Sequence, residues 1–305
     1  SFPTRRSSDL LEKGNKTKNI FADNLYKDII DNSSNNSTVF NAVLQNLVDQ
    51  KFPVNDDMKE DAATIIKQIK SAYKSNYGDN YKDSLNQALT SAGYKNLSEY
   101  RQRMIKQIQY ANFLLDYIDD HFDDVFNDYY QQCAPKYVSL IKISVSDTSS
   151  PADDETSKLN EVKELISNTD KSFGDIAQDY SDDSTSSKKG SLGIVDSKDT
   201  SGIANSYGKD VFNAIESLSE GQVSDVITGD NGYYFAKVTS TDKKTLKKEL
   251  KKTDIDSPLL AYDDYLQYVV YNSYKINYKD KDIKKIVQEV VNKALEERKT
   301  ERGEA

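Results

Sequence analysis

Residues 173–193, F-G-D-I-A-Q-D-Y-S-D-D-S-T-S-S-K-K-G-S-L-G, constrain the fold more than any other stretch of the chain. Phe173, Ile176, Ala177 and Tyr180 recur at helical spacing, which predicts a short amphipathic helix. Ser172, with Asp175 three residues on, supplies a capping-box start for it. A polar loop over 181–189 then leads to Gly190, where the backbone can turn freely. Leu192, Ile194 and Val195 begin a strand. Helix, polar loop, glycine turn and strand in this order dictate a path for the backbone, and by themselves no function.

The flanking segments read as a small sheet. Residues 137–145, Y-V-S-L-I-K-I-S-V, alternate as a strand, and 223–228 and 233–239 are short β-rich runs. Gly229-Asp230-Asn231-Gly232 between those runs is a hairpin turn signal. The whole series resembles the parvulin family of peptidyl-prolyl isomerases. That family carries F-x-x-(L/I)-A-x-x-(Y/F)-S-x-D, a Ser/Lys-rich loop and G-x-L-G, matched here by Phe173, Ile176, Ala177, Tyr180, Ser181, Asp183, Gly190, Leu192 and Gly193. Residues 218–224, L-S-E-G-Q-V-S, are similar to its L-x-x-G-x-(V/M)-S, and residues 232–238, G-Y-Y-F-A-K-V, to its closing strand. The resemblance spans residues 135–242 and implies a small antiparallel sheet packed with helices.

It also implies a site. Asp183 matches the position the family fills with Cys or Asp. Lys142 and Tyr234 stand where members of full activity place His, and the one histidine of the chain, His121, lies outside the region. The proline pocket implied by the resemblance consists of Leu192, Val195, Tyr207 and Val211. Prolyl isomerisation forms no covalent intermediate; an amide rotation barrier of about 18–20 kcal/mol must be lowered. An apolar pocket that holds the ring, with polar groups aimed at the twisted amide, can do this without metal or cofactor, and none is expected. With Lys142 and Tyr234 at the His positions, weak prolyl isomerase activity at best is expected, with chaperone-like binding dominant; a Lys142–Asp183 ion pair is one arrangement open to these groups.

Residues 11–134 read as helical. Leu25, Ile29 and Ile30 open the pattern, and Val39, Phe40, Val43, Leu44, Leu47 and Val48 continue it at 3.6-residue periodicity. Asp57 with Glu60 starts the next helix, and Gly93 stops the one over 81–92. Ser98 caps a long one that carries Met104, Ile105, Ile108, Leu115 and Ile118. Near the other end, after a Lys-rich run over 243–252 read as a solvated helix or linker, Ile283, Ile286, Val287, Val290, Val291, Ala294 and Leu295 form an apolar stripe that needs a partner surface. A helical lobe before a parvulin region, completed by a returning C-terminal helix, resembles the PrsA/SurA group of extracytoplasmic foldases. The expected class is therefore α+β: a helical chaperone lobe (11–134), the parvulin-like insert (135–242), and a linker with a returning helix (243–305).

The bulk numbers narrow the function classes. A net charge of −9 argues against nucleic acid as a partner, because phosphate contacts need a basic face. One cysteine, Cys133, excludes internal disulfides, and one histidine leaves no hydrolase triad to assemble. Residues 1–10, S-F-P-T-R-R-S-S-D-L, resemble a translated sequencing adapter and stand outside fold reasoning. The resemblance implies work on unfolded or partly folded secreted polypeptides at X-Pro segments, outside the membrane of a Gram-positive-type bacterium. It further implies a lipid anchor on an upstream cysteine, and it leaves room for a homodimer. Two functions remain open on the sequence: a foldase that isomerises X-Pro bonds, or a holdase that keeps the parvulin domain as a peptide-binding or structural module.

Overall fold

Alternation along β1 (Lys136–Ser144) sends Val138 and Leu140 to one face and Ile141 and Ile143 to the other, and all four are fully buried, so this strand is covered on both sides. The computed structural model describes residues 36–229, 231–251 and 254–304. They fall into two units, one of residues 122–251 and 257–262, the other of residues 36–121, 254–256 and 263–304.

In the first unit β1 lies in a four-stranded antiparallel sheet with β2 (Ser191–Val195), β3 (Ile227–Gly229) and β4 (Gly232–Ser240), in the order β2-β1-β4-β3. One face packs under α8 (Ile203–Tyr207) and α9 (Lys209–Ser217), through Ile203, Val211 and Ile215 against Leu140, Tyr234, Ala236 and Val238. The other face packs under α6 (Asp153–Asn168) and α7 (Phe173–Tyr180), through Leu159, Val162, Phe173 and Ile176 against Ile141, Ile143 and Phe235. Each such apolar side chain contributes on the order of 1.5–3 kcal/mol on burial. Ser172 caps α7 by accepting from the Asp175 amide at 3.1 Å. The hairpin closes at Gly229 opposite Gly232, and a Cβ on Gly232 would sit 2.2 Å from the Ile143 carbonyl oxygen. The strand expected over 223–228 is shorter than that. The Ser224 hydroxyl, not a backbone carbonyl, accepts from the Ala236 amide at 3.0 Å, so the regular ladder begins only at Ile227.

This unit begins at Phe122 rather than at residue 135. Helix α5 (Phe122–Cys133) belongs to it because its buried Tyr129 hydroxyl donates to the fully buried Asp196 carboxylate at 2.7 Å, and the Cys133 carbonyl accepts from the Ser197 amide at 2.9 Å. Tyr130 donates to the Thr241 carbonyl at 2.9 Å, which ties the incoming helix to the end of β4. The Lys-rich run is a helix of this unit: α10 (Lys243–Leu250), capped by Asp242, buries Leu246 and Leu250 and pairs Lys247 with Asp123 at 2.9 Å.

In the second unit α1 (Asn36–Lys51), α4 (Leu97–Asp120), α11 (Leu266–Asn272) and α12 (Lys281–Glu301) pack together, while α2 (Asp56–Tyr77) and α3 (Tyr81–Ser91) pack on α4. The C-terminal stripe of α12 buries Ile283, Val287, Val291 and Ala294, and α12 packs on α1 and α11. Arg298 and Arg302 of α12 bond the buried Asp263 carboxylate at 2.8 and 3.1 Å. Two caps differ from expectation: Asn55 and Asn96, not Asp57 and Ser98, accept from the amides three residues on, each at 2.9 Å. The Asn side chain reaches back from outside the helix, which a residue already in its first turn cannot do. Residues 1–10 and the opening pattern of Leu25, Ile29 and Ile30 lie outside the described residues.

Candidate functional site

The site grows from the way the 181–190 loop is held against β1. Lys142 donates its amide to the Ser181 hydroxyl at 3.0 Å, and its carbonyl accepts from the Asp182 amide at 2.8 Å. One turn on, Leu140 donates to the Gly190 carbonyl at 2.8 Å. Gly190 has φ +77°, and a Cβ there would lie 2.5 Å from the Leu140 carbonyl oxygen and 2.8 Å from the Ala177 Cβ. Only glycine meets both demands.

Between these anchors Asp183 starts a 3₁₀ turn over Ser184–Lys188. Its Oδ1 accepts from the Thr185 amide at 2.9 Å, from the Thr185 hydroxyl at 2.6 Å and from the Tyr207 hydroxyl at 3.3 Å. The carboxylate thus holds its own loop in shape and reaches across to α8. Tyr207 is fixed in turn: Asp199, at φ +52°, accepts from the Ile203 and Ala204 amides at 2.6 and 3.0 Å and so caps α8. Burial first, then the Asp183 carboxylate and Tyr234, push the Tyr207 hydroxyl up to about 12, so it remains a donor at neutral pH.

Tyr234 lies directly across from Lys142 in the β1–β4 ladder, and its ring meets that of Tyr207 edge to face at 6.2 Å. The Lys142 ammonium lies 5.9 Å from the centre of the Tyr234 ring. This replaces the ion pair open to these groups: among the described residues none forms between Lys142 and Asp183. The cross-strand register puts the Lys142 side chain beside the ring, while Asp183 turns toward Thr185 and Tyr207.

Leu192, Val195, Tyr207, Val211 and Tyr234 all belong to one apolar cluster. They divide by depth. Val195 and Val211 are fully buried and form the floor, whereas Leu192 and Tyr207 are half-buried and can meet a ligand. Phe212, also half-buried in this cluster, was not singled out by sequence; its place beside Val211 on α9 was the available signal. Lys136 was missed as well. Its ammonium donates to the Ile215, Glu216 and Leu218 carbonyls at 3.0, 2.6 and 3.0 Å and caps the C-terminus of the helix that carries Val211. An apolar cluster with a carboxylate, two phenols and an ammonium beside it offers the chemistry to hold a small apolar ring and to donate to a carbonyl oxygen next to it.

Comparison with known proteins gives the following similarities. Residues 140–240 match the rotamase family described as the PPIC-type PPIase domain. The foldase protein PrsA of Staphylococcus epidermidis is 32% identical over 141 residues, which are 44% of this chain and 41% of that protein. The foldase protein PrsA of Staphylococcus aureus strain MRSA252 gives the same identity over the same shares. The match thus covers about two-fifths of the length of these curated relatives. The crystal structure of PrsA from Bacillus subtilis aligns with 87% of this chain and 92% of its own at 22% identity, with a TM-score of 0.42. Residues 140–240 are thus a PPIC-type, parvulin-like domain, carried by a chain similar to the PrsA foldases.

Proposed function

We propose that this chain is a PrsA-like foldase, a peptidyl-prolyl cis-trans isomerase and chaperone that acts on unfolded or partly folded secreted polypeptides at X-Pro bonds. The observation that carries the proposal is that Asp183 accepts from Tyr207, whose ring meets that of the buried Tyr234, in the cluster that contains Leu192. The proline ring rests on Leu192 and Phe212, with Val195 and Val211 as the floor. As the C–N bond twists, conjugation is lost, the carbonyl oxygen recovers ketone character and the nitrogen becomes pyramidal. A phenol donor at Tyr207 or Tyr234 serves one of these atoms better in the twisted state than in the planar one, and such differential binding lowers the barrier. Asp183 orients the Tyr207 hydroxyl and keeps it a donor.

The setting inferred from the relatives is extracytoplasmic, in a Gram-positive-type bacterium, with a lipid anchor on a cysteine upstream of the sequence considered. No helix among the described residues is long and apolar enough to cross a membrane. The experiment is a cis-to-trans assay on X-Pro peptides with the full chain, beside an aggregation-suppression assay. Acceleration of isomerisation that falls in Tyr207→Phe and Tyr234→Phe supports the reading. Aggregation suppression with no acceleration overturns the isomerase part and leaves a holdase.

A further inference from the structure

Helix α2 is acidic in its first turns, with Asp56, Asp57, Glu60 and Asp61 beside Lys59, which pairs with Asp56, and basic further on, with Lys67, Lys70 and Lys74. Lys67 and Lys70 border a groove of about 440 Å³ whose other wall is the first turn of α4. That wall adds Arg101 and the Ser98 hydroxyl, and Ile66 and Leu97 supply apolar lining, Ile66 buried and Leu97 half-buried. None of Lys67, Lys70, Arg101 and Ser98 has a hydrogen-bond or ion-pair partner among the described residues.

The N-terminus of a helix carries a partial positive charge and is stabilised by anions. In α4 the first-turn Glu99 answers that preference, while Lys67, Lys70 and Arg101 border the groove beside it, in a chain whose net charge is −9. Asn96 satisfies the Glu99 amide, and the Ser98 amide has no partner among the described residues. Three cations with no ion-pair partner among the described residues therefore border one groove. Its volume lies in the range of about 300–1,000 Å³ typical of small-ligand sites.

We infer that this groove binds an acidic peptide segment, one in which Asp or Glu adjoins an aliphatic side chain. The carboxylates meet Lys67, Lys70, Arg101 and the α4 N-terminus, and the aliphatic group rests on Ile66 and Leu97. Two features favour such a segment over a phosphate polymer or an anionic membrane. The lining calls for an apolar group beside the charge, and the acidic remainder of the chain repels extended polyanions. The groove lies outside residues 140–240, so the inference stands or falls apart from the isomerase reading.

The test is fluorescence anisotropy of the full chain with a labelled short peptide of Glu and Leu, at low and at physiological salt. Binding that weakens about tenfold or more in K67A/K70A/R101A, and as salt rises, is the expected result. Helical circular dichroism and X-Pro isomerisation should be unchanged in that variant. A second variant, K67E/K70E/R101E, should abolish binding and instead take up the corresponding Lys/Leu peptide. Equal affinity of the wild-type chain and both variants overturns the inference. So does equal affinity for a Gln/Leu peptide, or tighter binding of polyphosphate or of phosphatidylglycerol vesicles than of the Glu/Leu peptide.

Discussion

Gly190→Ala should be among the most damaging single-methyl changes in the parvulin-like unit. Two costs add. The residue sits at φ +77°, where an L side chain is strained by roughly 1–2 kcal/mol. The new Cβ also falls 2.5 Å from the Leu140 carbonyl oxygen, a backbone atom of a strand paired on both sides, and 2.8 Å from the Ala177 Cβ on α7. Neither neighbour is a flexible side-chain end, and overpacking of this kind costs about 1–3 kcal/mol. The sum is about 2–5 kcal/mol, which at roughly 4 °C per kcal/mol lowers Tm by about 8–20 °C. Gly193→Ala is the matched control: its φ is +79°, and a Cβ there meets nothing within 4 Å, so only the strain applies. Calorimetry of the full chain reads both variants, and amide exchange at Leu140, the donor to the Gly190 carbonyl, locates the damage. The reasoning fails if the two variants lose the same stability, or if Gly190→Ala loses less than about 1 kcal/mol.

Five further outcomes follow from the same geometry. Asp183→Ala removes the Thr185 cap and the acceptor for Tyr207, and should lower kcat/KM about ten- to a hundredfold, the equivalent of roughly 1.5–3 kcal/mol for hydrogen bonds to a charged group. Asp183→Asn, which keeps an acceptor oxygen, should lose less. Lys136→Met strips three carbonyls of their ammonium donor and should destabilise the unit by roughly 1.5–3 kcal/mol in urea unfolding, with α9 exchanging first. Tyr129→Phe takes one donor from the buried Asp196 and should cost about 1–3 kcal/mol; an unchanged denaturation midpoint would show that the contact contributes nothing. With no histidine in the unit, kcat/KM should be flat from about pH 6 to about pH 9, without a histidine limb near 6.5. The Tyr207 hydroxyl is raised in the fold, so the unfolded chain ionises first. Its contribution to stability is intact below about pH 10 and is lost as pH rises toward about 12, which tyrosinate absorbance against unfolding will show.

How much of this was readable beforehand depended on whether a local rule sufficed. The Ser172 cap, the Gly190 turn, the Gly229–Gly232 hairpin and the strand over residues 137–145 all rest on neighbours within a few residues or on simple alternation. The Asn55 and Asn96 caps were misplaced because several residues able to cap stand together there, and only the backbone angles choose among them. The place of α5 was hidden because it depends on Tyr129 meeting Asp196, 67 positions away. Asp199 and Lys136 were silent for a similar reason: an aspartate in a polar loop and a lysine at a strand end look solvated until α8 and α9 are in place. Within the candidate site, the burial depth of each residue was not legible. Val195 and Val211 read as pocket wall, and the fold puts them beneath it.

The bond from Tyr130 to the Thr241 carbonyl, with the Lys243 ammonium 5.3 Å from the centre of the Tyr130 ring, brings the first and last segments of the parvulin-like unit side by side. Chain pinned together at its entry and exit in this way tolerates rewiring: a circular permutant that opens a surface loop of the unit should keep the sheet intact, provided residues 257–262, which return to the same unit, stay with it.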